Sequence, residues 1–325
     1  MRNRFSEKIT EMAETNQKLI LLSGDIGNRL FDTFKTAAPG RFFNCGVAEQ
    51  NMMGVASGLA MQGFLPFVYT IAPFCTARCL EQIRIDVAYH NLPVTIIGVG
   101  AGLSYANLGP THHSVDDISF LRSIPNLRIF NPSGPDELEA CLELVERHPG
   151  PTYIRMGKKG EPSLHKTPPN AATIKNPISL KTGRDICLLS SGTILAEAFA
   201  ASQLLKESGI DAALYSLPMV KPLPTDEIIE IIKKYSFLVV IEEHSKIGGI
   251  GSALSEIITD HNIHKPRLLK FAVPDQFIKC AGSQKYARAQ VGMSADLLCK
   301  QILIELGDTF NENNCGDSYP NRKAS

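Results

Sequence analysis

The sequence predicts an α/β protein of two domains, and three observations carry that reading. Short runs of β-branched and apolar residues alternate with amphipathic stretches of helix length, the pattern of mostly parallel sheets covered by helices. At 325 residues the chain is long enough to bury two separate cores. The alternation stops between 157 and 181, in a stretch rich in Pro, Lys and Asn without periodicity, and then starts again.

The elements follow in order. The opening "MRNRFSEKITEMAETNQ" is polar and helix-like, with no apolar core of a signal peptide. Strands are expected at 18–24 (KLILLSG), 65–71, 93–100, 126–132 and 152–156. The stretch "NCGVAEQNMMGVASGLAMQG" (44–63) reads as a helix of small residues that packs closely on its neighbours. "TARCLEQIRIDVAYHN" places Leu80, Ile83, Val87 and Ala88 on one helical face, with Thr76 as its cap. Asp116 or Asp117 caps "DISFLRS", and Asp136 opens "DELEACLELVERH". We place the first domain at 1–160 and a linker at 161–181. A second, smaller α/β domain follows at 182–307, and a polar tail expected to be disordered at 308–325.

Lys and Arg number 33, and so do Asp and Glu, so there is no basic excess for a nucleic-acid binder. No apolar run approaches the length of a membrane span, and a cytoplasmic location is expected. The eight cysteines are scattered; only Cys75 and Cys79 lie close, without a second pair for a metal site, so reduced thiols are expected.

Several stretches could carry chemistry. "SGDIGN" (23–28) and "GVGAG" (98–102) follow strands but form neither a dinucleotide fingerprint nor a P-loop. "EEHSKIGGIGSALSE" (242–256) fits a phosphate-binding turn; tight packing of a helix on a strand is the plainer account of its glycines. "GPTHHSVDD" (109–117) sets paired His near paired Asp without a repeat of either, so no metal site is expected in this chain, while a loop His after a strand suits catalysis. Glu49 is the one acid heading the 44–63 helix. The helix dipole favours an acid there, and apolar surroundings are expected to make it hold its proton more tightly.

Taken together, "FNCGVAEQNMMGVASGLAMQGFLPF", "GPTHHSVDDISFLRSIPNLRIFNPS" and "GPTYIRMGKKG" resemble the pyrimidine-binding half of the transketolase family. "VVIEEHSKIGGIGSALSE" and "YARAQVGMSADLL" resemble its C-terminal domain, and the likeness runs from about residue 5 to 306. The resemblance implies a thiamine-diphosphate-binding-fold pyrimidine domain followed by a transketolase C-terminal-like domain. Neither "GDIGN" nor "GDSYPN" is the GDG…N motif of the diphosphate-binding domain in full-length members. That implies the C-terminal subunit of a split enzyme. Its partner would be an N-terminal subunit that carries the motif and binds most of the Mg²⁺, in an α2β2 assembly. The implied reaction moves a two-carbon ketol or acyl unit from a ketose or 2-oxo donor to an aldehyde or ketone sugar.

The resemblance also implies roles. Glu49 would contact N1′ of the aminopyrimidine and favour the imino tautomer that removes the thiazolium C2 proton. Phe74 would pack on the pyrimidine, and Ile71 matches a second ring position that is often aromatic. Asp25 matches an acid near the cofactor, with a turn-forming Asp as the alternative. His112, with His113 beside it, would face substrate hydroxyls and the reacting carbon. Arg155 matches an arginine at the phosphate end of the acceptor channel, with a structural ion pair as the alternative. Two positions depart from the family. Leu108 replaces an Asp that bonds a sugar hydroxyl, and Gly100 and Ala101 stand where a basic residue grips an acceptor phosphate. These changes are expected to loosen hydroxyl discrimination and phosphate affinity. They point to a modified, branched or nucleotide-linked sugar. Two other readings are the β subunit of a 2-oxo acid dehydrogenase and a non-catalytic scaffold; the "GVAEQNM" and "THH" wording disfavours the first, and retained Glu49, Phe74 and His112 disfavour the second.

Overall fold

In the computed structural model, the described residues are 1–27, 29–263, 266–279 and 281–314, the side chains of 308–314 excepted. The apolar runs become strands buried on both sides, as parallel sheets require. After helix α1 (Arg2–Thr15) come β1 (Leu19–Ser23), α2 (Asp32–Ala37), β2 (Phe42–Asn44), α3 (Glu49–Met61) and β3 (Leu65–Ile71). Next are α4 (Ala72–Cys75), a 3₁₀ turn, α5 (Leu80–Gln82) and a π-helical run over Ile83–Tyr89. Then follow β4 (Thr95–Val99), α6 (Asp117–Leu121), β5 (Arg128–Phe130), α7 (Pro135–Arg147) and β6 (Thr152–Met156).

Side chains alternate across this sheet and so build two cores. Leu19 and Leu21 face Phe5, Phe34 and Leu142 of the helices α1, α2 and α7. Ile20 and Leu22 face Met52, Met53 and Ala56 of α3, with Ile83, Val87 and Ile118. The stretch expected to be one regular helix after Thr76 is instead 3₁₀, α and π in turn, and it still buries Ile83 and Val87 completely.

The second half holds β7 (Ile178–Lys181), β8 (Ile186–Ser191), α8 (Leu195–Glu207), β9 (Ala212–Ser216), β10 (Met219–Lys221) and α9 (Thr225–Ile232). It continues with β11 (Phe237–Ser245), α10 (Ile250–Asp260), β12 (Arg267–Val273), α11 (Gln284–Gln290) and α12 (Ala295–Asn314). Its five-stranded sheet has the order β12-β11-β8-β9-β7, parallel except for β7. Strand β7 lies inside the stretch read as linker, where Ile178 and its neighbours gain an edge pairing with β9. Strand β10 leaves its own half altogether and pairs antiparallel with β5, completing a seven-stranded first sheet of order β10-β5-β6-β4-β3-β1-β2. One apolar cluster runs from α3 and β4 through to Ile228, Val240 and Leu254, so the halves share a core. Helix α12 extends to Asn314, into the stretch expected to be a polar tail, because a nucleated helix propagates through polar residues at little cost. Residues 315–325 of that tail lie outside the described residues. Among the described residues no helix is long and apolar enough to cross a membrane.

Parallel pairing of β1, β3, β4 and β6 brings their carboxyl ends to one edge, the usual place for a ligand crevice in an open α/β sheet. Asp25, Phe74, Gly100 and Lys158 follow those strands. Helix α1 precedes β1 and runs back against it, so the start of α1 returns to the same edge. Phe5 fixes it there: its ring stacks on Tyr69 at 5.5 Å and meets Phe31 edge-on at 6.1 Å, wholly out of water. Replacing Phe5 with Ala should cost about 3–5 kcal/mol in denaturant unfolding of the full chain. A loss under about 1 kcal/mol would show that the site collapses or that α1 is not held by this ring.

Candidate active site

Glu49 opens α3, where the unpaired N–H groups of the first turn favour a carboxylate. It is 2% exposed, and a Cβ on Gly24 would come within 3.5 Å of its Cγ. The tight approach at Gly24 is to Thr70 of β3, whose Oγ1 a Cβ would meet at 2.9 Å, so the glycine lets β1 pack closely on β3 beside the acid. The apolar setting expected from the sequence is relieved by one cation. Arg78 donates from Nη1 to Glu49 Oε2 at 2.6 Å, and its guanidinium lies 4.4 Å from the centroid of the Phe74 ring. Phe74 in turn meets the His112 ring edge-on at 5.2 Å. Glu49, Phe74 and His112 are thus one cluster at the carboxyl edge, with Arg78 lying on both the acid and the aromatic face.

His112 is half-buried, with Nδ1 at 2.9 Å from Thr111 Oγ1. Burial, and secondarily the neighbouring His113, hold its pKa below the ordinary imidazole value. Leu108 lies on the same loop and is exposed. Ile71 ends β3, half-buried beside α4, and it packs toward the α1 side of the sheet rather than into the Glu49 cluster. Asp25 has a φ of 53° in the turn after β1 and exchanges hydrogen bonds with Asn44: Asn44 Nδ2 donates to its carboxylate at 2.9 Å, and its own N–H donates to Asn44 Oδ1 at 3.2 Å. This is the turn-forming alternative. Gly100 has a φ of 83°, and a Cβ there would fall 2.0 Å from the Tyr105 ring. Tyr105 fills the space over Gly100, and no basic side chain fits at that position.

Two of the expected substrate-facing residues lie inside the protein. Arg155 has the surroundings of the structural ion pair. It is 2% exposed, and every nitrogen of its guanidinium is engaged inside the protein. Nε donates to Asp117 Oδ2 at 2.8 Å, Nη1 to Asn131 Oδ1 at 3.3 Å, and Nη2 to the carbonyls of Ser114 (2.6 Å) and Glu243 (2.9 Å). Tyr153 completes the set, its hydroxyl donating to Asp117 Oδ2 at 2.7 Å. His113 is buried too, with Nε2 at 3.4 Å from the Ala106 carbonyl, and it holds the loop rather than facing out.

Sequence reasoning missed three residues of this region. Arg78 had a usable signal, since it follows Phe74 by four residues, one helical turn. Glu243 had none, because its partners are remote in sequence. Its carboxylate accepts from Leu103 N–H at 2.6 Å, from Gln284 Nε2 at 2.8 Å and from Arg288 Nε. Lys158, whose Nζ lies 4.4 Å from the Tyr105 ring centroid, reads only as part of the family-like stretch GPTYIRMGKKG, with no role of its own. Among the described residues no cluster of His, Cys, Asp and Glu is arranged to hold a metal ion.

Known proteins of similar sequence and similar structure identify the family of the fold. The family model described as transketolase, pyrimidine binding domain, matches residues 1–161, and that described as transketolase, C-terminal domain, matches 178–296. A putative transketolase C-terminal section of Methanocaldococcus jannaschii is 32% identical over 94% of this chain and 96% of its own length. An apulose-4-phosphate transketolase subunit of Actinobacillus succinogenes is 35% identical over 79% of this chain and 82% of its own. Among solved structures, a split-gene transketolase described as an inactive β4 tetramer superposes with a TM-score of 0.81 at 30% identity, over 92% of this chain and 95% of that one.

Two expected outcomes follow from the geometry. Arg155→Ala should lower stability by about 3–5 kcal/mol in denaturant unfolding, because it strands Asp117 in the interior; unchanged stability would return Arg155 to a substrate role. His112 should titrate by NMR with a midpoint below about 6.5, staying neutral at pH 7 and charging only in more acidic solution than a free imidazole. A midpoint at or above that value would contradict its half-buried placement.

Proposed function

The chain belongs to the transketolase family, and on that premise we propose that it is the pyrimidine-binding subunit of a split, thiamine-diphosphate-dependent ketol transferase. The observation that carries this reading is the buried Glu49 carboxylate set, across Arg78, beside the rings of Phe74 and His112. The residues present fit the cofactor. That the Arg78 guanidinium lies on Phe74 and reaches Glu49 supports this: a flat heterocycle on the same ring would come within hydrogen-bond reach of the Glu49 carboxyl, which can share its proton with a ring nitrogen.

When bound, thiamine diphosphate supplies the carbon nucleophile and the electron sink for breaking a bond next to a carbonyl. The chain's residues supply the rest. Glu49, out of water at a helix N-terminus, holds and shares the proton at the pyrimidine N1′. Phe74 presents an aromatic face to the ring and orients it. His112, neutral near pH 7, offers a hydrogen bond to substrate oxygens at the reacting end. Asp25 and Ile71 lie at the carboxyl ends of β1 and β3 without joining the cluster. Binding of the diphosphate and Mg²⁺ falls to an N-terminal partner subunit with the GDG…N motif, in an α2β2 complex. The split-gene neighbour solved as an inactive β4 tetramer supports that need.

Leu108 supports an altered sugar. An exposed leucine in place of an acid offers no acceptor to a hydroxyl, so a substrate modified or branched at that carbon loses nothing there. Nothing in the cluster favours a 2-oxo acid dehydrogenase or a scaffold.

The test is Glu49→Gln in the complex reconstituted with the partner subunit. The complex should still form, and cofactor C2-proton exchange should fall by at least about 3 kcal/mol of barrier, roughly a hundredfold. Exchange near the wild-type rate would overturn the role of Glu49.

A further inference from the structure

The loop between β4 and α6 carries, besides His112, an aromatic residue that the proposed function leaves unused. Tyr105 stands between Leu103 and Ala106, and both of those are sunk in the apolar core of the second half with Leu188, Leu195 and Ile241. The Ala106 N–H donates to the Leu103 carbonyl at 2.9 Å, and the Leu108 N–H donates to the Tyr105 carbonyl at 2.8 Å, closing a single 3₁₀ turn over Ala106–Leu108. The main chain at Tyr105 is therefore anchored on both sides.

The ring is fixed as well. One edge lies over Gly100, where any Cβ would run into it. The Lys158 ammonium sits 4.4 Å from its centroid, and the His112 ring meets it edge-on at 6.2 Å. The side chain is half-buried, yet among the described residues no group bonds its hydroxyl. Burial holds its pKa above the ordinary phenol value, so the hydroxyl keeps its proton throughout the neutral range. A ring held on three sides, with its one polar atom uncommitted and His112 beside it, is preorganised for a ligand. Side chains three residues apart on a 3₁₀ turn line up. Tyr105 thus shares its side of the loop with Leu108, the exposed residue that offers a sugar no polar contact.

We propose that Tyr105 is a specificity-determining residue of the ketol transfer, its hydroxyl bonding an oxygen substituent of the acceptor aldehyde beyond the carbonyl that lies at His112. This rests on the ketol-transferase reading. A carboxylate at position 108 could only accept a hydrogen bond, whereas a phenol both donates and accepts. Tyr105 therefore recognises a hydroxyl, and equally an oxygen that carries no hydrogen, as in a keto or ether group. Recognition has moved three residues along the loop and changed its chemistry.

The test uses the complex reconstituted with the partner subunit, hydroxypyruvate as donor, and D-erythrose or each of its monodeoxy analogues as acceptor. Tyr105→Phe keeps the ring, so the thermal unfolding midpoint should not move. KM for D-erythrose should rise at least about fivefold while KM for hydroxypyruvate stays. With the one analogue that lacks the hydroxyl being read, variant and wild type should have the same KM; with the others the difference should persist. Saturation-transfer NMR of D-erythrose on the same complex needs no turnover and should show the same weakening. A lowered midpoint would mean that the hydroxyl serves the fold, and it would overturn the proposal. So would equal KM and equal binding in the two proteins, an equal loss for every analogue, or no binding of D-erythrose by the wild type. A complex that binds D-erythrose through Tyr105 and transfers nothing to it would instead defeat the functional reading and leave the contact standing.

Discussion

An ion pair removed from water, Asp117 with Arg155, sets the positions of the parts around it. Such a pair is tolerated only when its remaining donors and lone pairs are matched. Here the matching groups come from different places: the carbonyl of Ser114 on the loop after β4, Asn131 after β5, Tyr153 on β6 and the carbonyl of Glu243 on β11. Satisfying one guanidinium therefore gathers the loop and both halves of the chain. Glu243 extends the effect, since its carboxylate takes the Leu103 N–H and holds the start of the loop that carries Leu108 and His112. Among the described residues the second half contributes no side chain to the Glu49 cluster, yet it holds the loop from which His112 projects.

Glu49 obeys the same rule on a smaller scale. A lone acid in a helix of small residues is costly only if nothing opposes its charge. Arg78, 29 residues away in sequence, reaches it across Phe74 and leaves its own far side in solvent. The acid is buried and matched at once. Any group that replaces Arg78 there must match the Glu49 carboxyl and lie flat on the Phe74 ring.

Much of this was legible in the sequence where the signal is local. Strands such as 65–71 and 152–156 are long apolar runs, and the structure has them at those bounds because burial on both faces demands such runs. Strands β7 and β10, of four and three residues, carry too little pattern to be seen, and their existence depends on partners distant in the chain. Glu49, Phe74 and His112 were named through the family likeness, and the structure brings them together. Arg155 and His113 were named by the same route and lie inside the protein. Residue type and spacing do not reveal burial, and an arginine at a strand end reads alike whether it meets a ligand or an aspartate.

The exchange of β10 bears on how this chain can be handled. A division of the gene at the apparent boundary near 181 would separate β5 from the strand that covers its edge and leave its N–H and C=O groups open to any passing chain. It would also cut through the apolar cluster that joins α3 to Ile228 and Leu254. Two family models divide the sequence, but the polypeptide is not two modules. A chimera that swaps one half for that of a relative must carry Met219–Lys221 along with the half whose sheet it finishes.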